Sequence, residues 1–484
     1  MGGCPSIYSA LLVGTPLTAT SLLASPEIEK EIDRLTGTVV RPGNTVVLLP
    51  SGVQSYQKRW EHLAGAKRTI HIVAFSVMRD DTSRRLRDVV REHLKAGVAV
   101  RFVLDDFSLY TTFAFGIIKD MEKAGAEVVV YNKTFRELLP VWSQDHRIKQ
   151  FVRAIKFKQK RRFHEKYMIV DGRHAVLGGL NWGSKYAFGG VEPKAWRDTD
   201  VYLTGPVVGD IQKQFVRDFY LYSAMNRDEV RRPLGFPLDC YQEEAEKGER
   251  ELRKNGDSAV FPDLEPAGNT RVRYVPHKPY DEGRLKLTEA YLRMFRAARR
   301  NIFWGCHGIR PPRLVADTLA DAVRRGVEVR LITNSRRSAR TLVVAGLLGW
   351  MYWESRNHYH WLLEQGIRIF EWQKPGAFHS KNLVIDGEVA SVGSYNVAAG
   401  STFHHTESNV IVYGREFASQ VEAQFEKDLL DCIEIRKTDG IGVAPRPSVD
   451  PYLRRLHERN LLVEPALRTP KVQKDLEAGH IKYM

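Results

Sequence analysis

Two distant stretches of this chain repeat one another, and that repetition constrains the fold more than any other feature. Residues 66–106 read AKRTIHIVAFSV, a charged stretch of helical pattern, then KAGVAVRFVLDD; residues 298–335 read ARRNIFWGCHGI, a similar stretch, then RRGVEVRLITNS. Each is an apolar strand-like run, an amphipathic helix stopped at a glycine (Gly97, Gly326) and a β-branched strand. A further matched pair, KAGAEVVVYN at 123–132 and EQGIRIFEWQ at 364–373, again stops a helix at glycine and starts a strand. Strands alternating with helices predict βαβ units and a mixed sheet covered by helices. The expected fold class is α/β: two similar lobes, each a mixed sheet flanked by helices, forming one pseudo-symmetric bilobal unit.

At 484 residues the chain exceeds one ordinary core, and 43% hydrophobic with 27% charged residues excludes wholesale disorder. The pattern divides it into a flexible or membrane-associated leader (1–43), a first lobe (44–240), a linker (241–270), a second lobe (271–436) and a tail with surface helices (437–484). The linker reading rests on a charged segment, rich in Gly and Pro, with little apolar periodicity. In the leader no charged residue precedes Glu27, and the apolar run 7–24 is interrupted by Gly14 and Pro16. It lacks the basic start of a secretory signal and the sustained apolarity of a spanning helix. Its first residues, MGGCPS, fit the MGxxxS acylation pattern, with Cys4 placed for a second acyl chain. Cys4, Cys240, Cys306 and Cys432 lie far apart with no zinc-site spacing, which fits a reducing compartment and no structural metal.

Each half ends in the same constellation. The first is His164-Glu165-Lys166, four apolar residues, Asp171, six residues and Gly178-Gly179-Leu180-Asn181; the second is His379-Ser380-Lys381, four residues, Asp386, six residues and Gly393-Ser394-Tyr395-Asn396. Residues two apart in a strand share a face, so each histidine is expected to face the same way as its lysine. Asp171-Gly172 and Asp386-Gly387 read as hairpin turns. A histidine can attack phosphorus or donate a proton, and a lysine offers a positive charge to a phosphoryl oxygen. Two such pairs brought together by pseudo-symmetry would surround one phosphodiester, with one imidazole attacking and the other protonating the leaving alcohol. Lys166, Lys381, Asn181, Asn396 and Ser394 would hold the substrate, so no metal and no cofactor is needed. Asp171 and Asp386 complete the repeated set; the same spacing also allows them to serve the turns.

The two motifs match, residue for residue, the HKD motifs of the phospholipase D superfamily at His164, Lys166, Asp171 and His379, Lys381, Asp386. The resemblance extends over roughly residues 44–430 and is greatest to bacterial cardiolipin synthase-like proteins. It implies one active site at the lobe interface and a covalent phosphohistidine intermediate, with His164 as nucleophile and His379 as acid/base. Trp196-Arg197-Asp198-Thr199-Asp200 and Glu407-Ser408-Asn409-Val410 are similar to family segments that follow the motifs, which makes Asp198 and Glu407 candidates to orient the histidines. Two departures, Ala399-Gly400-Ser401 in place of an arginine-bearing segment and the bulky Trp182, are expected to touch the substrate pocket.

Lysine and arginine number 73 against 58 acidic residues, a net charge of +15 that favours an anionic partner. Eight of the sixteen residues from 147 to 162 are basic, none is acidic, and apolar residues are interleaved. Such a run suits anionic lipid headgroups and equally a nucleic-acid backbone. The uncharged apolar stretches 107–118 and 342–353 read either as core helix or as a rim dipping into lipid, and apolar walls favour lipid over polynucleotide. The expected activity is therefore a phosphatidyltransferase or phospholipase D on glycerophospholipids, with phosphatidylglycerol or a related lipid as substrate. The expected partner is an anionic membrane surface, with peripheral association at a bacterial inner membrane. A nuclease of the same superfamily and a non-catalytic lipid-binding protein are the alternatives. Both motifs lie in one chain, so a monomer suffices for one site.

Overall fold

The computed structural model describes residues 22–132, 161–227, 241–254, 260–339 and 345–436. The first half supplies β1 (Arg41–Leu49), β2 (Thr69–Ala74), β3 (Ala99–Asp105), β4 (Glu127–Tyr131), β5 (Tyr167–Val170), β6 (His174–Gly178) and β7 (Asp200–Thr204). The second supplies β8 (Thr270–His277), β9 (Asn301–Gly305), β10 (Glu328–Asn334), β11 (Arg368–Trp372), β12 (Leu383–Ile385), β13 (Val389–Gly393), β14 (Glu407–Tyr413) and β15 (Cys432–Ile435). These form one continuous sheet with a seam between antiparallel β1 and β8. Outward from the seam the first half runs β7, β6, β5, β2, β3, β4 and the second runs β14, β13, β12, β9, β10, β11, with β15 added at that edge. In both halves the outer three strands are parallel and the inner ones antiparallel. The α/β fold with two matching halves is therefore observed, and the halves share a sheet.

The repeat dictates this layout. The helix Asp81–Lys95 starts at Asp80, whose carboxylate accepts the Ser83 N–H at 3.1 Å, and carries Leu86 and Val90 into the core. Gly97 and Gly326 adopt φ of 82° and 90°, the left-handed conformation that ends each crossover helix and turns the chain into the next strand.

Strand alternation sorts the core. In β5, Tyr167 and Ile169 enter an inner cluster shared with Val384, Val392 and Val410 of the other half, whereas Met168 and Val170 pack outward. Helices Val207–Arg227 and Arg415–Leu429 complete the inner layer with Phe215 and Phe425. Each half also has its own outer cluster. Burying a Phe or Ile side chain contributes about 1.5–3 kcal/mol, so the inner cluster strongly couples the halves.

Two expectations need correction, and one open choice is decided. Within the leader, Pro26–Thr36 is a helix capped by Ser25, and its Ile28 and Ile32 enter the outer core of the second half. Its Glu29, Glu31 and Asp33 pair with Arg271, Arg293 and Arg273. Charge matching to a basic face of the other half fixes it; residues 1–21 lie outside the described residues. Within the linker, Gln242–Lys254 is a helix packed on Val207–Arg227, and Ala267 pairs with β1 by donating its N–H to Gly43 O at 2.8 Å. Of the stretch 107–118, Leu109, Ala114, Ile117 and Ile118 are core, while Phe113 at the turn is 74% exposed. Residues 345–353 begin the helix Ala345–Glu364, but most side chains of 342–353 lie outside the described residues, as do nearly all of the basic run 147–162 and the tail 437–484.

Candidate active site

The two motifs approach each other because each is laced to the opposite half. Phe163 forms a parallel bridge with Thr406, and Phe378 forms one with Arg197. The His164 N–H donates to Thr406 O at 3.0 Å, and the His379 N–H donates to Arg197 O at 2.7 Å. The residue after Arg197 is Asp198, and the residue after Thr406 is Glu407. Backbone pairing therefore brings each histidine beside an acid from the other half.

The side chains complete the exchange. His164 Nδ1 lies 2.9 and 3.0 Å from the two carboxylate oxygens of Glu407, and His379 Nδ1 lies 2.5 Å from Asp198 Oδ2. A carboxylate on Nδ1 holds the proton there and leaves Nε2 with its lone pair. Both acids are fully buried. Burial pushes the Asp198 carboxyl up to about 6 against the opposing pull of Lys381, and raises Glu407 against that of Lys166. Burial first, and then the two lysines, hold both imidazoles well below their ordinary value, so each is neutral at pH 7.

Lys166 and Lys381 are also buried, and each ammonium reaches back to the carbonyl of its own histidine; Lys381 Nζ lies 2.8 Å from His379 Nδ1 as well. Burial pushes Lys166 down to about 7 and also lowers Lys381. Two lysines packed among neutral imidazoles form a buried site whose charge suits an anion. The residue between histidine and lysine points elsewhere, as strand alternation requires. Glu165 meets Lys278 at 2.6 Å, and Lys278 meets Asp218 at 2.9 Å; Ser380 bonds Thr199 at 2.9 Å.

Several expected roles change. Asp171 and Asp386 sit at the far ends of β5 and β12, at left-handed φ of 50° and 56° in the hairpin turns. Asp171 accepts the N–H groups of Lys67, Arg68 and Thr69, and Asp386 those of Arg299, Arg300 and Asn301. Their carboxylates lock the turn to the start of β2 or β9 and do not join the histidines. Asn181 is also committed elsewhere: its carbonyl accepts from Ser76 N at 2.8 Å and its amide donates to Tyr186 OH at 2.9 Å. The Ser394 hydroxyl accepts from Ser408 N at 3.0 Å and donates to Ser408 O at 3.5 Å, so it is committed to the backbone of β14. Asn396 is half-buried beside Cys306, its Oδ1 3.8 Å from the sulfur, and is the one expected substrate ligand left without a strong commitment among its described bonds. Trp182 is buried, its ring packed against Tyr56 and Trp60 and under the Arg59 guanidinium. The other departure reaches the site, because Ser401 donates to Glu407.

The glycines of the first motif have a packing cause. A Cβ on Gly179 would collide with the Asp198 carboxylate. Gly179 thus lets the acid of the first half reach His379.

Sequence reasoning missed the residues flanking the imidazoles. Phe75 and His405 lie 5.0 and 5.7 Å from the His164 ring, and His307 and Trp196 lie 5.1 Å from the His379 ring. The repeat carried the signal. Phe75 and His307 hold equivalent places in AKRTIHIVAFSV and ARRNIFWGCHGI, and Trp196 and His405 each stand two residues before an acid.

The family profile described as "Cardiolipin synthase, PLD-like domain" matches residues 60–218 and 291–429. The chain belongs to this phospholipase D-like family. It is 25% identical to the major cardiolipin synthase of Bacillus subtilis (strain 168), over 80% of this chain and 69% of that protein. It is 26% identical to cardiolipin synthase 2 of Bacillus anthracis over 80% of this chain, but spans 65% of that relative. Among solved structures, phosphatidylserine synthase of Haemophilus influenzae Rd KW20 superposes with a TM-score of 0.58 at 12% identity, covering 94% of this chain and 99% of the other. That likeness concerns the fold.

Proposed function

We propose that this protein is a phosphatidyltransferase acting on glycerophospholipid phosphodiesters, in the manner of the cardiolipin synthases it resembles. The observation that carries this reading is the reciprocal pairing of His164 with Glu407 and of His379 with Asp198 across the two halves.

The phosphodiester anion enters beside Lys166 and Lys381 and returns counter-charge to a site that burial has left short of it. It therefore raises the proton affinity of both imidazoles. Neutral His164 attacks phosphorus through Nε2, the bond to the leaving oxygen breaks, and protonated His379 gives that oxygen a proton. Glu407 stabilises the positive charge that develops on His164. In the second half-reaction neutral His379 takes the proton of an acceptor alcohol, whose oxygen attacks phosphorus and releases His164. Donor and acceptor exchange one phosphatidyl group, and the enzyme is restored.

Phosphatidylglycerol is the proposed donor, with a second phosphatidylglycerol, another alcohol or water as acceptor. The proposed setting is the surface of an anionic bacterial inner membrane, held peripherally; among the described residues no helix is long and apolar enough to cross a membrane. One chain carries both motifs, so a monomer is sufficient.

Purified protein incubated with phosphatidylglycerol liposomes is expected to yield cardiolipin or phosphatidic acid, read by mass spectrometry. His164→Ala and His379→Ala should each lower turnover by about 10⁴-fold or more. A folded wild-type protein that turns over no phospholipid would overturn the reading and direct the search to DNA and RNA.

A further inference from the structure

The two histidine sites differ in one way that matters for metal chemistry. Beside His164 stands His405, whereas the equivalent place beside His379 is taken by Trp196. One donor atom from each of His164, His405 and Glu407 lies within 4.8 Å of the other two. No other group of three or more His, Cys, Asp or Glu side chains shares this spacing among the described residues. Two imidazole nitrogens and one carboxylate oxygen form the donor set of open tetrahedral zinc sites, with bonds of about 2.0–2.2 Å. Magnesium and calcium instead prefer oxygen-only cages.

We propose that His164, His405 and Glu407 form a zinc-binding site that shuts the enzyme off. Glu407 and His164 are already within 3.0 Å, a separation that one bridging ion spans. His405 follows the short helix Ala399–Phe403 and is partly exposed, so its ring can swing toward the other two donors. The ion takes the place of the proton shared by His164 and Glu407. It takes Nδ1 and the carboxylate, the single imidazole proton moves to Nε2, and His164 then has no lone pair with which to attack phosphorus. At the mirror site Trp196 supplies no ligand, and His307, although 5.1 Å from the His379 ring, forms no group of that spacing with His379 and Asp198 among the described residues. Binding rests on the donor geometry alone, and inhibition rests on the role proposed for His164.

The test uses full-length protein stripped with EDTA. Cobalt(II), a spectroscopic stand-in for zinc, is expected to give the visible absorption of a four-coordinate site at one equivalent, and zinc to displace it. His405→Trp, which copies the residue beside His379, and the milder His405→Gln should each weaken zinc binding by about tenfold or more. Thermal unfolding of each variant establishes that it is folded. In the liposome assay zinc should inhibit the wild type reversibly, EDTA should restore it, and both variants should need about tenfold more zinc relative to their own zinc-free rates. Equal zinc affinity in wild type and folded variants, or no four-coordinate cobalt spectrum, overturns the site. Zinc bound through His405 without loss of turnover overturns the inhibition. A wild type that binds zinc yet turns over no lipid sinks the proposed activity and leaves the metal site standing.

Discussion

The two histidine sites are built on the same backbone plan and dressed differently. Each motif is bridged to the acid-bearing segment of the other half, and each histidine holds a buried carboxylate through Nδ1. Around that shared frame, Glu407 faces Asp198, Ser394 faces Gly179, Glu165 faces Ser380, and the pair Phe75 and His405 faces His307 and Trp196. Backbone pairing and the His–acid contact are the parts that two copies must share to bring two imidazoles to one phosphorus. The surrounding side chains are free to diverge, and in the proposed mechanism that divergence accompanies the split between an attacking imidazole and a proton-handling one. Environments that differ around like groups commonly separate their roles.

The largest effects should come from the acids. Glu407→Gln and Asp198→Asn are each expected to lower turnover of phosphatidylglycerol by about 10²–10⁴-fold. A p-nitrophenyl phosphodiester, whose leaving group needs little protonation, sharpens the comparison. Release of p-nitrophenol should recover far more in Asp198→Asn than in Glu407→Gln. Equal recovery in both would break the assignment of His164 as nucleophile.

The residue between histidine and lysine offers the next contrast. Lys278→Met leaves Glu165 and Asp218 as buried carboxylates without their cation, at an expected cost of about 3–5 kcal/mol in urea unfolding. Ser380→Ala, at the matching place in the second half, removes hydrogen bonds between neutral groups and should cost about 1 kcal/mol. Similar losses would mean that the two positions are equivalent after all.

Exchanging the motif glycine tests packing. Gly179→Ser gives the first half the residue of the second but pushes the Asp198 carboxylate aside, at an expected cost of about 1–3 kcal/mol. Turnover should fall with it, because His379 loses its partner. Unchanged turnover would show that Asp198 does not depend on the space Gly179 leaves.

The last contrast concerns pH and leaves turnover aside. His71, fully buried and stacked on Phe215, stands where the repeat places Phe303 in the second half. Burial holds its imidazole down to about 3 from 6.5, so it stays neutral in the folded protein while the unfolded chain takes up a proton below pH 6.5. Its contribution to stability is whole above pH 6.5 and is lost as pH falls toward 3, amounting to about 2 kcal/mol at pH 5. Relative to wild type, His71→Phe should therefore gain about 2 kcal/mol on going from pH 7 to pH 5 in denaturant titrations. A constant difference would place the acid sensitivity elsewhere.

The sequence alone determined the repeated α/β halves, the stop glycines, the Asp-Gly hairpins and the two histidine–lysine pairs. All of these depend on local conformation or on spacing within one segment, which a linear pattern records. Even Asp198 and Glu407 were legible, though only through resemblance to a family. The tertiary structure decided whatever depends on which distant segments meet. It put the helix of residues 26–36 on the opposite half through charge matching, and it sent Asp171, Asp386 and Asn181 to backbone groups that no spacing rule identifies. It exchanged the acids between halves, because the two motifs pair across the interface before they reach their own strands. It also set His307 and His405 beside the imidazoles. A side chain's role is fixed by the groups that surround it, and in this protein those groups come from segments that only folding brings together.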